Sequence, residues 1–204
     1  MPLDSSRLNS LARKDLPFNW RAEQSGWYAL SVGFGRSADS AQELEYLLAS
    51  ASQRAVPSMA AVMTVNVFEQ DYGWQYDQKL HAEQFLRLHR PMRASEDLLA
   101  DFAVDRIHDK GVNRPAILVT RTDERRASDG SPLFTLGSTL FARADGGVDG
   151  PQDPLPEPHV VPQRSPDLTH RSQTRPEQAL MYRINGDHNP LHVRQDAARA
   201  AGLS

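Results

Sequence analysis

A long stretch rich in proline and glycine divides this chain of 204 residues. It carries few large apolar side chains, so it cannot bury a core of its own and predicts a semi-rigid linker. We therefore expect a first domain over residues 1–148, a linker over residues 149–173, and the beginning of a second unit over residues 174–204. The linker prediction rests on Gly146, Gly147, Gly150, Pro151, Pro154, Pro156, Pro158, Pro162 and Pro166.

The first domain reads as one helical region followed by antiparallel strands. Residues 23–35 predict a short helix that ends at glycines, whereas residues 41–49 mix leucines with acids and leave the element type open. Residues 59–68 are rich in β-branched side chains and predict a buried strand. Apolar stretches separated by turn residues predict four more strands, which form an antiparallel meander in an α+β fold. Those strands are placed at residues 84–89, 98–108, 116–122 and 133–143.

Composition excludes several classes of function. The formal net charge is −3 and no run of lysine or arginine concentrates positive charge, which argues against a nucleic-acid partner. The chain has no cysteine, so disulfides, cysteine-ligated zinc and thiol nucleophiles are excluded. No apolar run approaches the length of a membrane span, and the amino terminus is too polar for a signal peptide. We expect a cytoplasmic protein without a membrane partner.

The segment YRINGDHNPLH, at residues 182–192, carries the clearest chemistry. Gly186 permits an unusual backbone turn just before Asp187, and Asn189 with Pro190 is typical of a helix start. A rigid loop then presents Asp187 and His192, and a carboxylate beside a neutral imidazole can hold and deprotonate one water. The competing interpretation is an ordinary helix-capping loop with a surface histidine.

The spacing of the two histidines in this segment also resembles a helical metal pair. Pro190 lies between His188 and His192 and prevents a continuous helix, so we predict no metal site.

The segment at residues 182–192 resembles the motif of the hydratase 2 group of the MaoC-like hot-dog family. That motif consists of an aromatic residue, a short spacer and then G-D-x-N-P-x-H. The resemblance continues upstream at residues 27–33, 109–111, 133–135 and 174–180. Residues 80–84 (LHAEQ) are similar to the family segment L-H-G-E-Q, with Ala82 in place of glycine. The family fold is a double hot dog, in which the first unit makes room for an acyl chain and the second carries the catalytic loop.

The resemblance implies reversible conversion of trans-2-enoyl-CoA into (3R)-3-hydroxyacyl-CoA. Asp187 and His192 would position the water, one taking its proton while the other relays a proton to the α-carbon. Asn189 and Gly186 would brace the loop or touch the substrate. No cofactor is implied, because CoA is part of the substrate. The enolate that forms on the thioester oxygen needs hydrogen-bond donors, which the family supplies from a glycine-containing segment beyond the catalytic histidine.

The resemblance also suggests that the LHAEQ segment contacts the substrate. His81 and Gln84, with Glu83, would line the acyl-CoA cleft. The alternative interpretation of the same residues is plain strand-face packing.

The sequence stops at Gly202-Leu203-Ser204, before the family's oxyanion segment. We therefore expect a second hot dog that is only begun, and little activity from this chain alone. A homodimer or a partner hot-dog chain would complete the site. The alternative function is a non-catalytic acyl-CoA-binding or scaffolding subunit. Thioesterase chemistry is a third option, which the water-addition motif disfavours.

Overall fold

The computed structural model describes residues 4–36, 40–64, 79–148, 154, 157 and 160–203. The first part holds α1 (Ser5–Ser10), β1 (Arg13–Trp20), α2 (Ala22–Ser31), α3 (Ala41–Leu47), a 3₁₀ turn (Pro57–Met59) and α4 (Ala60–Met63). Four longer strands follow: β2 (Lys79–Leu88), β3 (Glu96–Asp109), β4 (Ala116–Arg126) and β5 (Pro132–Ala142). The last part holds α5 (Gln178–Arg183), a 3₁₀ turn (Pro190–His192) and α6 (Gln195–Ala200).

The five strands form one antiparallel sheet in the order β1-β3-β4-β5-β2. Strands β3, β4 and β5 follow one another as a meander, as the sequence predicts. Strand β2 does not continue that meander, because β1 already pairs with the free edge of β3. It pairs with β5 instead, where Leu86 lies opposite Leu136. The prediction of an α+β fold is confirmed. The prediction that all four later strands form one meander was wrong, because β2 lies at the far edge beside β5.

The predicted strand over residues 59–68 was also wrong in its described part. Pro57 begins a 3₁₀ turn that leads directly into α4. Pro pre-sets the backbone angle of a first helical turn, and this local effect outweighs the β-branched composition. The side chains of Met59, Ala60 and Val62 are almost completely buried. Residues 65–68 lie outside the described residues.

The remaining elements of the first part of the chain are α2, α3 and β1. The helix predicted at residues 23–35 is confirmed as α2. The open stretch at 41–49 forms α3, where the side chain of Ser40 accepts the backbone N–H of Glu43 and caps the first turn. Strand β1 was not predicted.

The sheet has an inner face, which packs against the helices, and an outer face. Every second residue of β4 from Ala116 to Arg126 is buried, which marks the inner face. The core on this face includes Trp20 of β1, Tyr28 of α2 and Phe134 of β5. The rings of Trp20 and Phe134 stack with their centroids 6.4 Å apart. Helix α2 contributes Tyr28 and Ala29 to this core.

Residues 160–177 contain no helix or strand and are exposed along almost their whole length. This agrees with linker composition, while the boundary at residue 148 stays a prediction. Within the described ranges, no helix is both long and apolar enough to cross a membrane.

Candidate active site

The loop between α5 and α6 has a backbone that its sequence dictates. Gly186 adopts a φ of +106°, a left-handed conformation that side chains disfavour. Asn189 caps the following 3₁₀ turn, because its side-chain oxygen accepts the N–H of Leu191 at 3.0 Å. The N–H of Asn189 in turn donates to Oδ1 of Asp187 at 3.1 Å. These two hydrogen bonds hold Asp187 just before the 3₁₀ turn.

The carboxylate of Asp187 and the imidazole of His192 face each other across this turn. Oδ2 of Asp187 lies 3.9 Å from Nε2 of His192. That gap is too long for a direct hydrogen bond, but one water can bond to both atoms. Side-chain exposure is 26% for Asp187 and 60% for His192, so water reaches the pair. The arrangement suits activation of a water molecule.

A buried polar contact ties this loop to the first domain. Asn185, which is 7% exposed, donates from Nδ2 to Oγ of Ser31 at 2.8 Å and to the carbonyl of Tyr182 at 3.0 Å. Ser31 is the last residue of α2. The loop is therefore anchored on a helix that is itself packed in the core.

Two tyrosines form the second anchor. The rings of Tyr28 and Tyr182 lie 6.1 Å apart, and the Tyr28 hydroxyl donates to Oγ of Ser58 at 2.9 Å. Burial, with smaller effects from Tyr28 and Asp187, raises the pKa of Tyr182 to about 12. Tyr182 therefore stays protonated beside the carboxylate. The sequence motif includes Tyr182, but nothing in the sequence pairs it with Tyr28.

The proposed substrate residues of the LHAEQ segment lie elsewhere, on the edge strand β2. Gln84 donates from Nε2 to the carbonyl of Gly137 at 3.1 Å and accepts from Oγ of Ser138 at 2.9 Å. His81 lies opposite Leu140 in the same strand pairing. The structure thus brings Gly186, Asp187, Asn189 and His192 together in one loop, and His81 and Gln84 together on the sheet.

The described part of the chain holds no group of three or more histidine, aspartate or glutamate side chains arranged to bind a metal ion. The segment between His188 and His192 contains a short 3₁₀ turn that begins at Pro190.

Two family models match this chain. Residues 18–144 match the MFE-2 hydratase 2 N-terminal domain, and residues 159–204 match the MaoC like domain. The second match includes the loop with Asp187 and His192.

Several characterised proteins are similar along most of the chain. The peroxisomal enoyl-CoA hydratase 2 of Arabidopsis thaliana is 28% identical, with 100% of this chain and 72% of that protein covered. An enoyl-CoA hydratase of Mycobacterium tuberculosis is 30% identical with the same coverages. The 3-hydroxyacyl-thioester dehydratase Y of the same organism is 31% identical over 94% of this chain and 66% of its own length.

Solved structures share the fold. The full-length peroxisomal multifunctional enzyme type 2 of Drosophila melanogaster superposes with a TM-score of 0.75 at 29% identity, covering 95% of this chain and 34% of that one. A MaoC-like dehydratase of Phytophthora capsici gives a TM-score of 0.78 at 21% identity, covering 97% and 70%. This chain therefore spans about a third of the multifunctional enzyme, and the hot-dog prediction is confirmed.

Proposed function

This chain belongs to the MFE-2 hydratase 2 family of MaoC-like proteins, and from that premise we propose that it adds water reversibly to trans-2-enoyl-CoA and forms (3R)-3-hydroxyacyl-CoA. It is an enzyme of the hydratase and dehydratase type. The observation that carries the proposal is the 3.9 Å approach of Asp187 Oδ2 to His192 Nε2 on a loop anchored to α2.

The proposed reaction uses the two side chains on one water. The water oxygen bonds to the β-carbon of the enoyl thioester, and its proton passes to one member of the pair. A proton is then delivered to the α-carbon from the pair, so water is added across the double bond without net change of the enzyme. Oδ1 of Asp187 is already bonded to the N–H of Asn189, which leaves Oδ2 as the oxygen directed at the water.

Substrate contacts are a further part of the proposal. Asn189 and Gly186 would border the water site, whereas His81 and Gln84, which lie apart from this loop, would line the path of the acyl chain along β2. The side chain of Gln84 is held by Gly137 and Ser138, so its role would be to shape the cleft rather than to move a proton. No cofactor is proposed, since CoA enters as part of the substrate.

Hydration of crotonyl-CoA, followed at the thioester-enone absorbance, tests the proposal. We expect a rate above the uncatalysed reaction, with (3R)-3-hydroxybutyryl-CoA as the product. Asp187→Asn and His192→Gln should each lower the rate by at least about 100-fold, because each removes one contact to the water. His188→Gln is the matched control in the same loop and should leave the rate unchanged. Equal loss in all three variants, or the (3S) product, would contradict the proposal.

The open position of His192, which is 60% exposed, favours one alternative. In that alternative the chain is a non-catalytic subunit that binds acyl-CoA and is completed by a partner hot-dog chain or a second copy. Exposed apolar side chains on α2 and α5, such as Trp27 and Leu180, are compatible with such a partner. Binding of crotonyl-CoA without any hydration, in the assay above, would decide for the alternative.

The cellular location is part of the proposal. We propose the cytoplasm as the compartment. Similar proteins from Arabidopsis and Drosophila are named as peroxisomal. Fractionation of cells that produce the chain would distinguish the two compartments.

A further inference from the structure

The outer face of the sheet carries a basic cleft that the proposed reaction does not use. The cleft encloses about 950 Å³ at the ends of β2, β4 and β5. Its volume lies within the range of small-molecule sites. Its lining includes the basic and aromatic residues Phe85, Arg87, His89, Arg90, Arg121, Arg125 and Phe134, with the acids Asp123 and Glu124.

The strand register sets these side chains in rows. Arg87 lies opposite Thr135, and Thr135 lies opposite Asp123, so the three residues form one row across three strands. In the next row Gly137 lies between Phe85 and Arg121. Gly137 has no side chain, and Phe85 lies against its backbone, in van der Waals reach of the position that a Cβ would take.

The single ionised acid of the cleft is fully engaged. Asp123 accepts two hydrogen bonds from Arg121, at 2.8 and 3.0 Å, and one from the hydroxyl of Thr135 at 2.8 Å. The bonds from Arg121, with that from Thr135, hold the pKa of Asp123 below its usual range, so this carboxylate stays charged. His89 bonds to Thr135 at 3.0 Å and extends the row.

Two arginines of the cleft take part in no ion pair among the described residues. Arg125 is paired with Asp101 and Asp15, whereas Arg87 and Arg90 are not paired in this way. Arg90 interacts electrostatically with Asp129. Glu124 also borders the cleft, yet its side chain is on the inner face and protonated at neutral pH. The cleft therefore holds two arginine side chains outside ion pairs, on a chain whose net charge is −3.

Isolated surface arginines are usually only solvated, but these two flank a concave site beside an exposed aromatic ring. The guanidinium of Arg87 lies 5.9 Å from the ring centre of Phe85, which is 52% exposed. Planar guanidinium groups match the oxygens of phosphate, and a flat aromatic ring offers a stacking surface to a base.

We propose that this cleft binds a nucleoside phosphate, with the phosphate between Arg87 and Arg90 and the base against Phe85. The site does not depend on the hydratase reaction. The ligand is either a free nucleotide or the nucleotide end of a larger molecule such as CoA, since both present the same chemistry.

Calorimetric titration with ADP at low ionic strength tests the proposal. Wild-type chain should bind ADP, and Arg87→Gln with Arg90→Gln should weaken binding by about tenfold per arginine, since each substitution removes a charge-assisted bond. Phe85→Ala should weaken ADP but not pyrophosphate, which has no base. Arg171→Gln, at an exposed arginine far along the chain, is the matched control and should change nothing. Added salt should weaken wild-type binding.

A parallel titration with CoA separates the two sources of the ligand. A free-nucleotide site binds ADP at least as tightly as CoA, whereas a site for the nucleotide end of CoA binds CoA more tightly and loses that advantage in the double variant. Absence of ADP and CoA binding to wild-type chain, or binding that the double variant retains in full, would overturn the proposal. Asp187→Asn should leave ADP binding intact, so failure of the hydratase proposal would not mimic failure here.

Discussion

At the scale of single residues, Glu124 shows how an ionisable group can be held neutral in a sheet. It lies opposite Ala100 on β3 and Phe134 on β5, with 2% of its surface exposed. Neither carboxyl oxygen has a hydrogen-bond partner among the described residues. Burial, and to a smaller extent the charge of Asp123, raises the pKa of Glu124 to about 9. A neutral carboxyl avoids the much larger desolvation penalty of a buried charge.

This carboxyl should make stability depend on pH. The folded state keeps a proton that the unfolded state releases above its ordinary pKa of about 4.3. The free energy of unfolding should therefore be greatest below that value and fall as pH rises towards about 9, by at most about 1.4 kcal/mol per pH unit. Glu124→Gln stays neutral and should remove this slope in urea unfolding at pH 5 and pH 8. Glu157→Gln, at an exposed glutamate, should keep it, and an unchanged slope in Glu124→Gln would contradict the assignment.

At the scale of elements, the sequence predicts strands where alternation is strong and fails where a local signal competes. The long strands β3 to β5 were found because apolar residues recur on one face. Strand β1 was missed because its residues 13–17 are mostly charged or proline, and only Phe18 and Trp20 are buried. The stretch after Pro57 was misassigned because proline at a helix start outweighed composition.

In the candidate loop, the local turn could be predicted from the sequence, whereas its long-range contact could not. Gly186, Asn189 and Pro190 act on their immediate neighbours, so the turn could be predicted from their order. The anchor between Asn185 and Ser31 joins residues 154 positions apart and leaves no periodic signal. Only a structure brings those two residues together.

The contact between α2 and α3 allows a direct test of element packing. A methyl group at Gly26 would lie 2.9 Å from the backbone carbonyl of Leu47, which cannot move without shifting α3. Gly26→Ala should therefore destabilise the chain by about 1–3 kcal/mol, although alanine favours a helix by roughly 1 kcal/mol. Gly137→Ala is the control, because its methyl would meet Phe85 at an ordinary 3.6 Å. Urea unfolding measures both, and equal stability of the two variants would refute the close-packing argument.

At the scale of the whole molecule, the carboxyl-terminal segment contacts the earlier part of the chain at three places. Arg36 donates to the carbonyl of Gln173 at 2.9 Å, and Arg143 donates to the carbonyl of Ala201 at 3.3 Å. Between these ends, Asn185 is bonded to Ser31. The loop that carries the proposed chemistry is thus positioned by residues that lie much earlier in the chain.

In the proposed site, Asp187 and His192 share one water beside a thioester. A crystal structure of the chain with bound (3R)-3-hydroxybutyryl-CoA tests this most directly, because the 3-hydroxyl oxygen would take the position of that water. We expect this oxygen within about 3 Å of both Asp187 Oδ2 and His192 Nε2. A hydroxyl bound away from this loop, or two side chains turned apart in the complex, would contradict the account.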